Sequence, residues 1–284
     1  MKKTLPIIAV LIILLTLCAC GESSSDGDAA MNTPTPVVYE KEDGRLIQEV
    51  NYNANGLKYL TVFYDYDGQS RVTKEMRMGV NNAPEGYYTN EYDGNGRLSL
   101  RVSYAALGPD EYAEEYRVSY EYDDKGLLVS EKRSAEGVLL SVTDYEYNED
   151  SLLTGEKLYQ GDSFLAAEYK YGYDGSGRRI SCQRSDYMEN ATMENRYTYD
   201  GNDLLVTDLI CDSEGNVRER VDYTYDNSGN VLKRSVFGDK GVLQSYVEYE
   251  YTYDEAGNIV KSVCSDSEGN VTITTEYTWT YSNG

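Results

Sequence analysis

Between Lys41 and Ser282 the chain restarts one short pattern nine times, about once every 26 residues: Tyr-x-Tyr-Asp-x-x-Gly-x-Leu. A fixed period of that size is the mark of a repeat architecture, in which each copy is one supersecondary unit and buries its surface against its neighbours. The copies are clearest at Tyr120 to Leu128, Tyr223 to Val231 and Tyr251 to Ile259.

Within a copy, Asp-x-x-Gly predicts a type I turn. The aspartate side chain accepts a backbone N–H two residues on, and glycine takes the positive φ that closes the turn. Such a corner joins antiparallel strands, usually with a bulge at the glycine. Upstream, Tyr223 and Tyr225 flank Thr224, and the other copies alternate in the same way, so each strand has a tyrosine face and a polar face. Downstream, Leu46, Leu128, Leu205 and Val231 open a second strand. It ends about 12 residues later at another turn, clearest in Asp212-Ser213-Glu214-Gly215 and Asp266-Ser267-Glu268-Gly269. Two of these second turns depart from the pattern, 79–86 with Pro84 and 107–111 with Pro109, and are expected to project from one edge. No 3.6-residue apolar stripe appears after the N-terminal segment. The reading is an all-β fold, an elongated, twisted antiparallel β-meander of about nine two-stranded repeats over residues 38–284. Nineteen strands laid flat would span roughly 90 Å.

Thirty tyrosines stand against three Phe and one Trp, Trp279. Tyrosine combines a large apolar ring with a hydroxyl that needs a partner. Rows of rings can stabilise a thin sheet through cross-strand pairs. They can also offer a stacking platform to sugars, and Tyr199 and Tyr225 are the candidate glycan-binding residues on that alternative.

The N-terminus carries an address. Lys2 and Lys3 precede an apolar run from Leu5 to Leu17, which has the length of a signal-peptide core rather than a membrane span. Leu17-Cys18-Ala19-Cys20-Gly21 follows and resembles the lipobox of bacterial lipoproteins. The resemblance implies cleavage after residue 19 and a diacylglycerol thioether on Cys20. More than one acyl chain makes such an anchor stable. Residues 20–37, with a serine run and two Thr-Pro pairs, read as a disordered tether. The expected location is the outer face of the plasma membrane or, in a cell with two membranes, the outer membrane.

The net charge of −23 repels nucleic acid and anionic headgroups. Histidine is absent, which removes the Ser–His–Asp arrangement and the commonest neutral metal ligand. Cys182, Cys211 and Cys264 have neither zinc-ligand spacing nor, by strand parity, a geometry for pairing. No turn supplies the converging oxygens of a calcium loop, and no glycine-rich phosphate loop opens a helix. These observations predict no catalytic residues, no metal and no cofactor.

Tyr223-Thr224-Tyr225-Asp226-Asn227-Ser228-Gly229-Asn230-Val231 resembles the YD repeat of the RHS-repeat family, and the resemblance covers nearly all of residues 38–284. That family builds long antiparallel ribbons that curl, in its large members, into hollow shells, and its repeats carry no catalytic residues. Nine copies are expected to be too few for closure. The function expected is a non-enzymatic envelope lipoprotein acting as scaffold or surface-interaction protein, with the membrane and a glycan or surface protein as partners.

Overall fold

The structure is a computed structural model and describes residues 44–281. The strands are, first, β1 (Gly44–Asn53), β2 (Lys58–Tyr66), β3 (Val72–Met78), β4 (Pro84–Tyr92), β5 (Leu98–Gly108) and β6 (Glu111–Tyr122). There follow β7 (Leu128–Ala135), β8 (Val138–Tyr147), β9 (Leu153–Gln160), β10 (Phe164–Tyr173), β11 (Arg179–Asp186) and β12 (Ala191–Tyr199). The last are β13 (Leu205–Asp212), β14 (Val217–Tyr225), β15 (Val231–Gly238), β16 (Leu243–Tyr253), β17 (Ile259–Ser265) and β18 (Val271–Tyr281). A single 3-10 turn, Val80–Asn82, is the only helical element among the described residues.

Every strand pairs antiparallel with the next, and β18 pairs with β1, so the eighteen strands close into a barrel. This corrects the elongated open meander expected from the sequence. Two physical causes close the ring. The first is a bulge at every corner. In the β2–β3 hairpin Asp65 faces Lys74 while Tyr66 faces Val72, leaving Thr73 extra. The same shift recurs at the other aspartate corners, for example between Thr198 and Tyr199 and between Thr224 and Tyr225. Each bulge bends its strand and adds right-handed twist, and in a repeat the bends sum in one direction.

The second cause lies at the two ends of the described residues. β1 begins midway through a copy, with Gly44 and Leu46, and β18 ends midway through one, with Trp279 and Tyr281. Gly44 faces Tyr281, Leu46 faces Trp279, and Ile47 is the extra residue of a ninth bulge. The two half-copies complete one repeat without a covalent corner. Their pairing removes the only two open edges, each of which would otherwise expose a row of unpaired backbone groups. Thr275 donates to Asn51 Oδ1 at 2.8 Å in the buried middle of this seam.

Most aspartate corners are built as expected. Asp67 Oδ1 accepts from the N–H groups of Gln69 (2.8 Å) and Arg71 (3.0 Å). Gly96, Gly126, Gly177, Gly229 and Gly257 take φ between 81° and 86°. Where the pattern lacks glycine, Ser70, Ser151 and Asp203 adopt the left-handed region at φ 65°, 62° and 64°.

The alternation along the strands also holds, with Val221 and Tyr223 buried and Thr224 exposed. Acids and rings are not segregated, however. Tyr145 faces Glu156 and Tyr120 faces Glu131 across their hairpins, so carboxylates sit on the tyrosine face. The densest apolar packing gathers Leu205, Val221, Tyr223, Val231 and Val236 from β13 to β15.

Candidate functional site

The barrel presents three regions: the rim that carries the aspartate corners with Gly44 and Tyr281, the wall, and the opposite rim. The corner rim is bonded into a circuit. Tyr66 donates its hydroxyl to the Leu46 carbonyl oxygen at 2.6 Å, Tyr92 to Val72 at 2.7 Å and Tyr173 to Leu153 at 2.6 Å. Tyr122, Tyr147 and Tyr251 do the same to Leu98, Leu128 and Val231. Trp279 Nε1 donates to Ile259 at 2.9 Å. Each acceptor opens the second strand of the preceding copy, so the aromatic rings lie back across the wall.

Arginines at the corners tie the same rings to the turns. Arg71 Nε donates to Asp67 Oδ2 at 2.7 Å, and its guanidinium lies 4.4 Å from the centroid of the Tyr92 ring. Arg97 repeats this with Asp93 and Tyr122, at 4.6 Å from the ring. These partners hold the Asp67 and Asp93 carboxyls below the usual carboxylate range, chiefly through the backbone N–H groups of Arg71 and Arg97. In the last two copies asparagine replaces arginine. There Asn230 and Tyr253 donate to Asp226 Oδ2 at 3.1 and 2.8 Å, and Asn258 and Tyr281 take the same places around Asp254.

On the wall, Tyr171 donates to Glu156 at 2.7 Å and Tyr64 to Glu49 at 3.2 Å. Burial, reinforced by these carboxylates, pushes the hydroxyls of Tyr64 and Tyr171 well above the usual phenol range. The most buried acid is Asp208, 2% exposed. Asn195 Nδ2 reaches both its oxygens, at 2.9 and 3.0 Å. Burial pushes its carboxyl up to about 6, against that hydrogen bond.

Both candidate tyrosines serve the circuit. Tyr199 donates to the Arg179 carbonyl oxygen and Tyr225 to that of Leu205, each at 2.6 Å. The structure brings the two together, half-buried against the same apolar cluster. Tyr225 also borders a shallow cleft of about 650 Å³ between two corners, lined by Asp200, Asn202, Asp226 and Asn227. Cys20, the proposed signal peptide 1–19 and the tether 20–37 lie outside the described residues. Cys182 and Cys211 are buried free thiols and Cys264 is a half-buried one. Among the described residues no group of three or more Cys, Asp or Glu is placed to hold a metal ion.

The opposite rim is irregular where the corner rim is uniform. The 79–83 segment forms the 3-10 turn, with Asn81 and Asn82 at φ 57° and 59°. Residues 107–111 close the longest hairpin, β5–β6, by a two-residue turn at Pro109 and Asp110. Both segments thus lie at one edge, as expected. A second cleft of about 550 Å³ opens here beside Leu57 and Val80, with Lys58 Nζ bonded to Asn82 Oδ1 at 2.6 Å.

This rim also carries a feature that the sequence reading missed. Leu57, Val80, Leu107, Val138, Met188 and Val242 are 58–65% exposed, and all six stand here. No other large apolar side chain among the described residues exceeds 50%. The signal was present in the sequence: four of the six directly follow a turn glycine, Gly56, Gly79, Gly137 or Gly241.

No protein-family model matches the chain. Among solved structures, a porin-like protein from Bacteroides uniformis aligns over 83% of this chain and 98% of its own, at 12% identity and a TM-score of 0.43. The Photorhabdus luminescens Tc holotoxin pore aligns over 79% of this chain and 14% of its own, at 15% identity and a TM-score of 0.28. A putative outer membrane lipoprotein-sorting protein domain from Vibrio parahaemolyticus covers 86% of each chain at 9% identity, with a TM-score of 0.20. These scores fall below those of chains that share one fold, so the functional reading rests on the residues of this chain.

Proposed function

We propose that the chain is a lipid-anchored cell-envelope protein whose barrel is a non-enzymatic scaffold. One observation carries the scaffold reading: the aromatic side chains that recur in every copy are bonded to the wall, and the turn carboxylates are bonded by their own backbone and by arginine or asparagine where a copy supplies one. Residues spent in this way build a rigid cylinder, and variation is left to the opposite rim, where function concentrates on a fixed frame.

The anchor reading rests on Leu17-Cys18-Ala19-Cys20 and on the two faces of the wall. A membrane-spanning barrel needs an outward apolar band, and each charge at its middle costs on the order of 2–4 kcal/mol. Here one face carries Glu121, Glu146, Lys132 and Lys157 as ion pairs, and the other carries Glu49, Glu131, Glu156 and Asp208. Neither face suits lipid, which leaves the acyl chains on Cys20 as the attachment.

Labelling cells with radioactive palmitate tests the anchor. Label is expected in the membrane-bound wild type and missing from Cys20→Ala, which is expected to leave the membrane fraction. Equal label in both proteins contradicts it.

A second reading has one observation in its favour. The cleft beside Tyr225 joins a ring, two carboxylates and two amides, the groups that bind sugar hydroxyls and faces. Glycan-array binding that is lost in Asn202→Ala and Asn227→Ala would support it, and an empty array would end it.

A further inference from the structure

The opposite rim combines two properties that rarely coincide without a binding role. It gathers the six most exposed large apolar side chains, and Phe164, half exposed, adds a seventh position. They stand one at each of seven of the nine connections, about 10 Å apart between neighbouring connections, so the rim carries a recurring apolar position rather than isolated exposed residues. The rim is also acidic. Asp110, Glu136, Asp162, Glu189, Glu214, Asp239 and Glu268 are exposed in seven of its nine connections. Lys240 is the single base in the segments that link strand to strand on this side.

The corner rim is acidic too, with Asp124, Glu149, Asp150, Asp203 and Glu255 exposed in its turns, but among the described residues it lacks apolar side chains of that exposure. Its nearest equivalents, Leu127, Leu152 and Leu204, are half-buried, and arginines neutralise Asp67, Asp93 and Asp174.

Size and charge select the occupant. Eighteen strands give a circumference of about 90 Å, and a band one side chain wide, about 10 Å, presents roughly 900 Å². That meets the roughly 800 Å² per partner of a stable complex. A second copy docked rim to rim would set acid against acid. An anionic membrane surface is repelled for the same reason. The first and last described residues, Gly44 and Tyr281, stand at the other rim.

We propose that the rim opposite the aspartate corners docks a protein partner whose contact surface is apolar and basic. The proposal rests on the scaffold reading and adds the place and chemistry of the contact. Acids steer the partner and set its salt dependence, while the apolar ring supplies the buried area.

The test uses the detergent-purified full chain and two fluorescent peptides of equal charge, one alternating Leu and Lys, the other alternating Gln and Lys. At physiological salt the Leu-containing peptide is expected to bind at least about tenfold tighter, since each buried leucine adds a favourable transfer term. The variant Leu57→Ser/Val138→Ser/Met188→Ser/Val242→Ser is expected to bind both peptides equally. The single variants Leu107→Ser and Val242→Ser guard against misfolding, and each is expected to lose part of the difference while keeping the wild-type melting temperature. Equal binding of both peptides to the wild type, or undiminished discrimination by the serine variants, overturns the proposal. So does a dimer of the full chain that the fourfold variant dissolves, which would make a second copy the occupant. None of these readouts depends on the anchor, so a failure here is distinct from a failure of the palmitate experiment.

Discussion

At the scale of single residues, the structure separates groups that stabilise the wall from one that strains it. Asp208 is buried with Asn195, and its carboxyl is pushed up to about 6. The unfolded chain releases that proton near the ordinary value of 3.8. The native state therefore binds more protons between those limits, and stability falls as pH rises through the window. Asp208→Asn keeps a group that can bond Asn195 and removes the charge. It is expected to stabilise the fold by about 1–3 kcal/mol at pH 7 and by almost nothing at pH 4. Chemical denaturation at the two pH values measures this; an equal effect at both would show that burial of charge is not the cause.

The left-handed corners give a second case. Ser70 and Ser151 hold φ near 65° and 62° without glycine. A non-glycine residue there costs roughly 1–2 kcal/mol, partly offset by the chain entropy that glycine adds to the unfolded state. Ser70→Gly and Ser151→Gly are each expected to raise the melting temperature by about 1–3 °C. Calorimetry showing no change or a fall would contradict the strain assignment.

At the scale of the element, the aspartate corner was the most legible part of the chain. Asp-x-x-Gly dictated the turn, the side-chain hydrogen bonds at Asp67 and the positive φ at Gly126, because every cause lies within five residues. The placement of Glu131 and Glu156 was less legible. Parity along one strand is readable, but which acid faces a tyrosine depends on bulges that shift register by one residue at each corner. The role of the tyrosine hydroxyls was not legible at all, since it required knowing how far each ring reaches back over its neighbour.

That reach has a measurable consequence. Removing one hydroxyl, as in Tyr173→Phe, leaves the Leu153 carbonyl without its side-chain donor. The expected loss is about 1–2 kcal/mol. The same change at exposed Tyr187, whose bond to Glu168 is long at 3.3 Å, is expected to cost little. Equal effects at both sites, read from urea unfolding midpoints, would argue against the circuit.

The tyrosines also set an alkaline limit. Tyr64, Tyr145 and Tyr171 keep their protons far above 10 in the fold, chiefly through burial. The unfolded chain gives them up near 10, so stability is full below that pH and declines above it. Turn aspartates such as Asp174, held low by Arg178, act in the other direction. Their contribution is present above about pH 4 and is lost as pH falls below the ordinary carboxylate value.

For the whole molecule, the repeat gave the all-β class and nearly the strand number, while closure escaped the sequence reading. The information was there in two pieces. One was the half-copy at Gly44 and Leu46, the other the half-copy at Trp279 and Tyr281. They are separated by more than 230 residues, so no local rule joins them. Only the sum of the corner bends decides whether the ends meet.

The seam is the one joint between neighbouring strands without a covalent corner, so closure rests on its nine paired positions alone. The proposed docking rim depends on it too, since an opened ribbon would no longer hold its apolar side chains in a ring. The most direct test is therefore a distance. Gln48 and Thr278 face one another across β1 and β18. Labels placed there in the full chain are expected to lie within about 20 Å of each other if the barrel is closed. A flat ribbon of the same strands would hold them about 80 Å apart. A distribution centred on the short distance agrees with the closed barrel, and one centred beyond about 50 Å would contradict it.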